Sequence, residues 1–292
     1  MRDRVALGRG AAIGAVGFMA FGPSIVKKVE MEEMAFVFWR LGIAAAFYAV
    51  VLILAGNRLL WIDLKRSAVG GVIFAVNLVF FILSMRRTSA VNAVVIASLQ
   101  PILLLAVGHR LFGERPHRSV YVGASVAFVG VVVAMAGSGA SGVATWSGDL
   151  MAFVTMVLFA AYYVASKQAR AEMDSITYQL SLTVVATVVL LPIALVVEGG
   201  VALPSDGDWW MVAAMAVIPG TGHLLTNFAH GHVTLTQMSL ISLLFTAVAP
   251  LYAWWLIGER IVGQQVVGMA VVLIALSFVV TRPVEVVART GD

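Results

Sequence analysis

Arg40, Asn77, Gln100 and His223 each interrupt a long run of apolar residues. Polar groups in such runs are costly in hydrocarbon, and they are biased toward the interior of a helical bundle or a watered cavity. Asn77 and Gln100 stand about 14–16 Å into their runs at 1.5 Å per residue, near the middle of a bilayer. A primary amide has four hydrogen-bonding positions to satisfy, which suits a hydrated cavity that receives a small polar solute. Residues three and four apart share a helix face, and polar side chains recur at that spacing. The faces are Asn77, Phe81 and Ser84; Asn92, Ile96 and Gln100; Thr155, Phe159, Tyr162 and Ser166; His223, Asn227 and His230; and Ser239, Ser242 and Thr246. The competing use of such a face is to hold helices together, at roughly 0.6 kcal/mol per bond, and for a single Ser or Thr that use is the commoner one. Phe18, Phe21, Trp39, Phe81, Tyr162 and Tyr163 have the rings to stack on a flat substrate. Packing and an interfacial aromatic belt account for them equally well.

The charged residues narrow the chemistry. Arg40 lies about six residues inside its run, where a guanidinium fork fits the two oxygens of a carboxylate. The alternatives are snorkelling to the surface or pairing with Glu32 or Glu33. No Asp or Glu lies in mid-run; Asp149, Glu198 and Glu259 all fall near run ends. A proton relay through the membrane normally needs a buried carboxylate or histidine. His223 is the sole histidine well inside a run, about 21 Å from one end. It could carry a coupling proton, and a hydrogen-bonded structural role is the competing reading. The chain has no Cys, which excludes disulfides, thiolate catalysis and Cys-based metal sites. HExxH, GxSxG and Walker A patterns are absent, and His230 or His232 with Asn227 makes a poor triad. An intramembrane enzyme remains the rival class, with no convergent acid, base or metal cluster to support it. No cofactor or metal is expected.

The elements that must position these residues are membrane helices. The hydrophobic fraction is 61%, charged residues are 12% and the mean hydropathy is +0.98, whereas a soluble domain carries roughly 25% charged residues. The runs are long enough to cross about 30 Å of hydrocarbon as helices. The alternating ten-residue strands of an outer-membrane barrel are absent. Ten spans are expected: 8–26, 34–54, 68–85, 89–112, 119–137, 148–166, 176–197, 209–230, 233–257 and 263–281. The longest connections are 55–67, 138–147 and 198–208, and the Gly/Ser/Ala stretch at 138–147 is the natural seam. Gly22-Pro23 interrupts the first span, as in broken helices that line cavities, although Pro and Gly are also common in membrane helices generally. No cleavage site follows that span, so it is not read as a signal peptide.

The spans are written twice. Gly113-Glu114-Arg115 recurs as Gly258-Glu259-Arg260, an offset of 145 that also aligns Val122-Gly123 with Val267-Gly268. Lys27 and Lys167 align at an offset of 140, each ending the first span of its half. The halves are 8–137 and 148–281. With five spans in each, they enter the membrane upside down to one another, a pattern of secondary transporters whose site lies between the halves. With the N-terminus inside, thirteen Lys and Arg flank the spans on the cytoplasmic face and five on the other, so both termini are expected in the cytoplasm. The net charge of +4 sits in these short loops, and no nucleic-acid partner is read from it.

Four sequence runs carry a resemblance: Phe38-Trp39-Arg40-Leu41, the fourth span ending Gly113-Glu114-Arg115, Gly220-Thr221-Gly222-His223, and the ninth span ending Gly258-Glu259-Arg260. The chain resembles the drug/metabolite transporter superfamily, of the ten-helix kind built from two EamA-type repeats. The resemblance implies an all-α membrane protein with a 5+5 inverted-topology repeat. It implies a central cavity lined by spans one, three, four, six, eight and nine; spans five and ten, which carry few polar residues, are expected to serve as packed scaffold. It is similar to bacterial inner-membrane exporters of amino acids and related metabolites, working as a monomer or homodimer in the lipid bilayer. The expected cavity residues are Phe18, Phe21, Asn77, Phe81, Gln100, Tyr162, Tyr163, His223, Asn227, Ser242 and Thr246. The expected gate or structural residues are Pro23, Lys27, Arg40, Pro101, Glu114, Lys167, Pro250 and Glu259. Arg40 is assigned there because the superfamily carries Arg at this point across unrelated substrates. Glu114 and Glu259 are read as helix-end anchors or local ion pairs, and Lys27 and Lys167 as paired gate charges or snorkelling ends. The superfamily often has Pro in the middle of both the fourth and ninth spans. Pro101 fits, but its counterpart here is Thr246, with Pro250 one turn later, so the two spans are expected to bend at different depths. Facilitated export is the leading reading. Proton-coupled drug or metabolite efflux is second, and a lipid or polyamine flippase lacks the acids it would need.

Overall fold

A computed structural model describes residues 2–88, 96–136, 145–258, 261–279, 282 and 284–286. Its helices are α1 (Arg2–Met19), α2 (Gly22–Val26), α3 (Glu33–Leu54), α4 (Trp61–Arg87), α5 (Gln100–Phe112), α6 (Arg118–Ala136), α7 (Trp146–Ala169), α8 (Ser175–Val197), α9 (Asp208–His230), α10 (Leu235–Ser242), α11 (Phe245–Ile257) and α12 (Gly263–Val279). Taking α1 with α2 and α10 with α11 as broken single spans, seven of them are by length and composition able to cross a membrane. The shorter apolar α6 and α12 and the helix α5 bring the described spans to ten. Asn92, Glu259 and most of the 138–147 seam lie outside the described residues.

Helix ends differ from expectation where hydropathy is blind to them. The third span starts at Trp61, not 68, because Asp63 in its first turn accepts a 2.9 Å bond from the Leu60 N–H. The polar turn bearing Lys65 and Arg66 is helical but not apolar. The connection there shrinks to residues 55–60.

The fourth and ninth spans break at matching positions, not at different depths. Turns fall at Ser98-Leu99 and Leu243-Leu244, related by the 145-residue offset. Each contains a three-residue hydrogen bond, Leu99 N to Ile96 O at 3.1 Å and Leu244 N to Ile241 O at 3.0 Å. That is a local 3₁₀ tightening. Pro101 directly follows the first break, whereas Pro250 lies inside α11 and away from the second. In the ninth span, hydroxyls replace proline. Ser239, Ser242 and Thr246 donate back to the carbonyls of Thr236, Ser239 and Leu243 at 2.9, 2.6 and 2.7 Å. Such back-bonding bends helices.

The two Gly-Glu-Arg runs have a backbone cause. Gly113 and Gly258 end α5 and α11 with φ of +63° and +70°, a left-handed cap that glycine adopts without a Cβ clash. After the first, β1 (Glu114–Pro116) pairs antiparallel with β2 (Val284–Val286), a short ladder with no counterpart in the sequence reading.

Helix packing joins the halves. α4 lies on α7 and α8, α9 lies on α1 and α3, α3 on α8, α5 on α10, and α6 on α12. The α6–α12 seam is close enough that a Cβ on Gly123 would meet Val279, and one on Gly268 would meet the Ala134 backbone. Likewise a Cβ on Gly8 would meet His232, and one on Gly148 would meet the backbone at Arg87. The main apolar core gathers α1, α3, α4, α7, α8 and α9 around Tyr162, Tyr163, Tyr178 and Phe74.

Candidate functional site: a central cavity

A cavity of about 200 Å³ sits among α1, α2, α3, α4, α5, α7, α9, α10 and α11. Its walls hold Asn77, Phe81, Gln100, Tyr163, His223, Ser242, Thr246 and Pro23 from the sequence-derived set, and Arg40 as well. Local sequence explains the convergence. Met215, Pro219, His223 and Thr226 fall on one stripe of α9; Ala152, Thr155, Phe159 and Tyr163 on one stripe of α7; and Asn77, Phe81, Ser84 and Met85 on one stripe of α4. Gly222 lets α1 approach, since a Cβ there would meet Met19 and the Ala15 carbonyl. That brings α1 against the turn of α9 bearing His223.

Among the described residues, Arg40 is the only charged side chain on this wall. It neither snorkels nor pairs with Glu32 or Glu33. It is 4% exposed, and Glu33 instead holds Arg86 at 3.1 Å. Arg40 Nη2 lies 3.3 Å from His223 Nε2. A guanidinium can only donate, so Nε2 is the acceptor and the ring proton is assigned to Nδ1. His223 Nδ1 and Gln100 Nε2 are buried with no hydrogen-bond partner among the described residues. Asn77 donates through Nδ2 to the Thr155 carbonyl at 2.9 Å. The hydroxyls of Ser242 and Thr246 are spent on their own helix.

Several expected cavity residues lie elsewhere. Phe18 is 41% exposed on the outer face of α1, away from the buried stripe of Ala12, Ala15 and Val16. Phe21 stacks on Tyr252 with ring centroids 3.9 Å apart, joining the break after α1 to α11. Tyr162 and Asn227 are buried off the wall. The Tyr162 hydroxyl donates to Asn227 Oδ1 at 3.3 Å, and Asn227 Nδ2 donates to Gln179 Oε1. The amide that could have met a substrate is consumed between helices. Sequence reasoning missed the methionines Met19, Met85, Met156, Met215 and Met238 on the wall. Their spacing from Phe81, Ala152 and His223 was the available signal.

The ends of the bundle are held by charge on backbone. The Glu114 carboxylate accepts the N–H groups of Leu235 and Thr236 at 2.6 and 2.9 Å, where a helix N-terminus favours an anion. It is thus a helix anchor, not an ion-pair partner of Arg115. Lys167 donates from Nζ to the carbonyls of His230, at 3.0 Å, and Val233. The α9–α10 turn is therefore gripped by a cation on one side and an anion on the other. Lys27 is exposed just past α2. The cavity draws on α4 from Asn77 to Met85, on α7 from Ala152 to Tyr163 and on α9 from Met215 to Thr226, and the grip lies about one turn beyond it, at the C-terminal ends of α7 and α9.

Comparison with known proteins places this architecture. A family model described as the EamA-like transporter family matches residues 6–136 and again 146–281. An uncharacterized transporter of Bacillus subtilis (strain 168), YyaM, is 26% identical over 214 residues, covering 69% of this chain and 70% of that one. An uncharacterized transporter of Archaeoglobus fulgidus is 31% identical over 164 residues, 56% of this chain and 57% of that one. A crystal structure shares the fold with a TM-score of 0.78 at 16% identity, over 96% of this chain and 98% of that chain. The chain is thus a multi-pass membrane transporter rather than an enzyme, and it belongs to the EamA-like transporter family of the drug/metabolite transporter superfamily.

Proposed function

We propose that the protein exports amino acids or related small metabolites across the bacterial inner membrane, by alternating access and without an external energy source. The observation that carries this reading is one cavity lined from both halves of the chain, with amide, imidazole and guanidinium groups on an otherwise apolar wall. The packing supports an inverted repeat. Exchanging the halves exchanges α4 on α7 for α9 on α1, exchanges α4 on α8 for α9 on α3, and returns the α6–α12 and α3–α8 contacts to themselves. The Gly123–Val279 and Gly268–Ala134 contacts exchange under the same 145-residue offset. Two related halves of this kind can rock about a shared site. In the state described, the Lys167 and Glu114 contacts hold one end of α7, α9 and α10 together. Opening that end requires their release.

Passive transport is favoured over proton coupling by the Arg40–His223 bond. A proton arriving on Nε2 would remove the acceptor and set a second cation beside the guanidinium. The test is counterflow of labelled amino acids into proteoliposomes containing only this protein, with no pH gradient. Accumulation competed by unlabelled amino acids is expected. Flux that appears only when a proton gradient is imposed would overturn the passive reading. Absence of flux for every amino acid would remove that substrate class.

A further inference from the structure

We propose that the substrate presents a carboxylate to Arg40, and that the rest of it is an apolar body with no need of a cationic group. This rests on the transport reading and narrows its substrate class. Among the described residues no acidic side chain pairs with Arg40, and none lines the cavity. A buried cation without a counter-charge is costly, and an arriving anion relieves that cost where a cation would deepen it. Arg40 has five N–H donors, and among the described residues its one side-chain hydrogen bond is through Nη2 to His223. The rest of the fork is left for a carboxylate, which it fits bidentately. His223 is a positioning residue that orients the guanidinium through Nε2. Gln100 Nε2 adds a second donor without a partner on the same wall. Among the described residues the wall offers no carboxylate to receive an ammonium, so an α-amino group gains nothing comparable.

The remaining wall describes the rest of the substrate. Met19, Met85, Met156, Met215 and Met238 join Phe81, Phe159 and Phe245 around the cavity. Methionine is flexible and polarizable and adapts to apolar shapes of different outline. The site is therefore strict toward the charged end and tolerant toward the chain.

The test uses four probes with one branched carbon chain: leucine, its 2-oxo acid, leucinamide and isoamylamine. Binding is read from the melting temperature of the purified protein in detergent, and flux from counterflow in proteoliposomes. The 2-oxo acid and leucine are expected to raise the melting temperature, the oxo acid at least as well as leucine. Leucinamide and isoamylamine are expected to leave it unchanged. Arg40→Met should weaken carboxylate binding at least tenfold, with Arg40→Lys intermediate. Should Arg40→Met fail to fold, Gln100→Leu and His223→Leu should each weaken carboxylate binding, and His223→Gln, which restores an acceptor for Nη2, should recover it. Leucinamide binding as tightly as leucine overturns the proposal, as does wild-type carboxylate affinity in a folded Arg40→Met protein or failure of both carboxylates to bind. Carboxylates that bind through Arg40 but are never transported would sink the transport reading alone. Leucinamide transported as well as leucine would sink only this proposal.

Discussion

Glu114 is 1% exposed and its two oxygens are both engaged by N–H groups of α10. Glu114→Ala strands those donors in the interior, at about 1–3 kcal/mol for each group left unsatisfied. The expected outcome is a clear fall in melting temperature in detergent, partly restored in Glu114→Gln, which keeps one acceptor. Phe18→Ala, by contrast, should leave both transport and stability within about 0.5 kcal/mol of the parent, because its ring faces outward. The site was partly legible in the residues themselves. Asn77 and Gln100 declared themselves by standing in hydrocarbon, and the structure puts both on the cavity wall. Arg40 did not, because one position on a helix does not say whether a long side chain runs to the surface or across to a neighbour. Asn227 misled for the converse reason: its partner Gln179 belongs to another helix, and no spacing within α9 reveals it.

At the scale of elements, the two close seams make a matched pair of predictions. Gly123→Val and Gly268→Val each force α6 and α12 apart where a Cβ already has no room. Each should cost about 1–3 kcal/mol, measured as a melting shift, and the reciprocal contacts predict similar losses. Lys167→Met removes the donor that gathers the His230 and Val233 carbonyls. A cysteine introduced near that grip should then react faster with a water-soluble maleimide. Unchanged labelling would show that the grip does not hold this end shut. Helix number and order were readable because hydropathy reports burial in lipid. Helix breaks were not, since they depend on which carbonyl each N–H chooses. Proline marked the break in the fourth span, but in the ninth Ser239, Ser242 and Thr246 accompany it through bonds a sequence does not display.

For the whole molecule, the asymmetry of Lys and Arg predicts both termini on the cytoplasmic side. Cysteines placed at Asp206 and at Arg66 in this cysteine-free chain should label from opposite sides of intact cells; labelling from one side alone would reject the ten-span topology. The β1–β2 ladder adds a constraint of another sort. Its three residue pairs run from Glu114–Pro116 to Val284–Val286, so the polypeptide's tail is buckled to the very segment whose carboxylate steadies α10. Shortening the protein before Val284 would thus slacken a joint far along the sequence, and Val284–Val286 act as ballast for one mouth of the bundle.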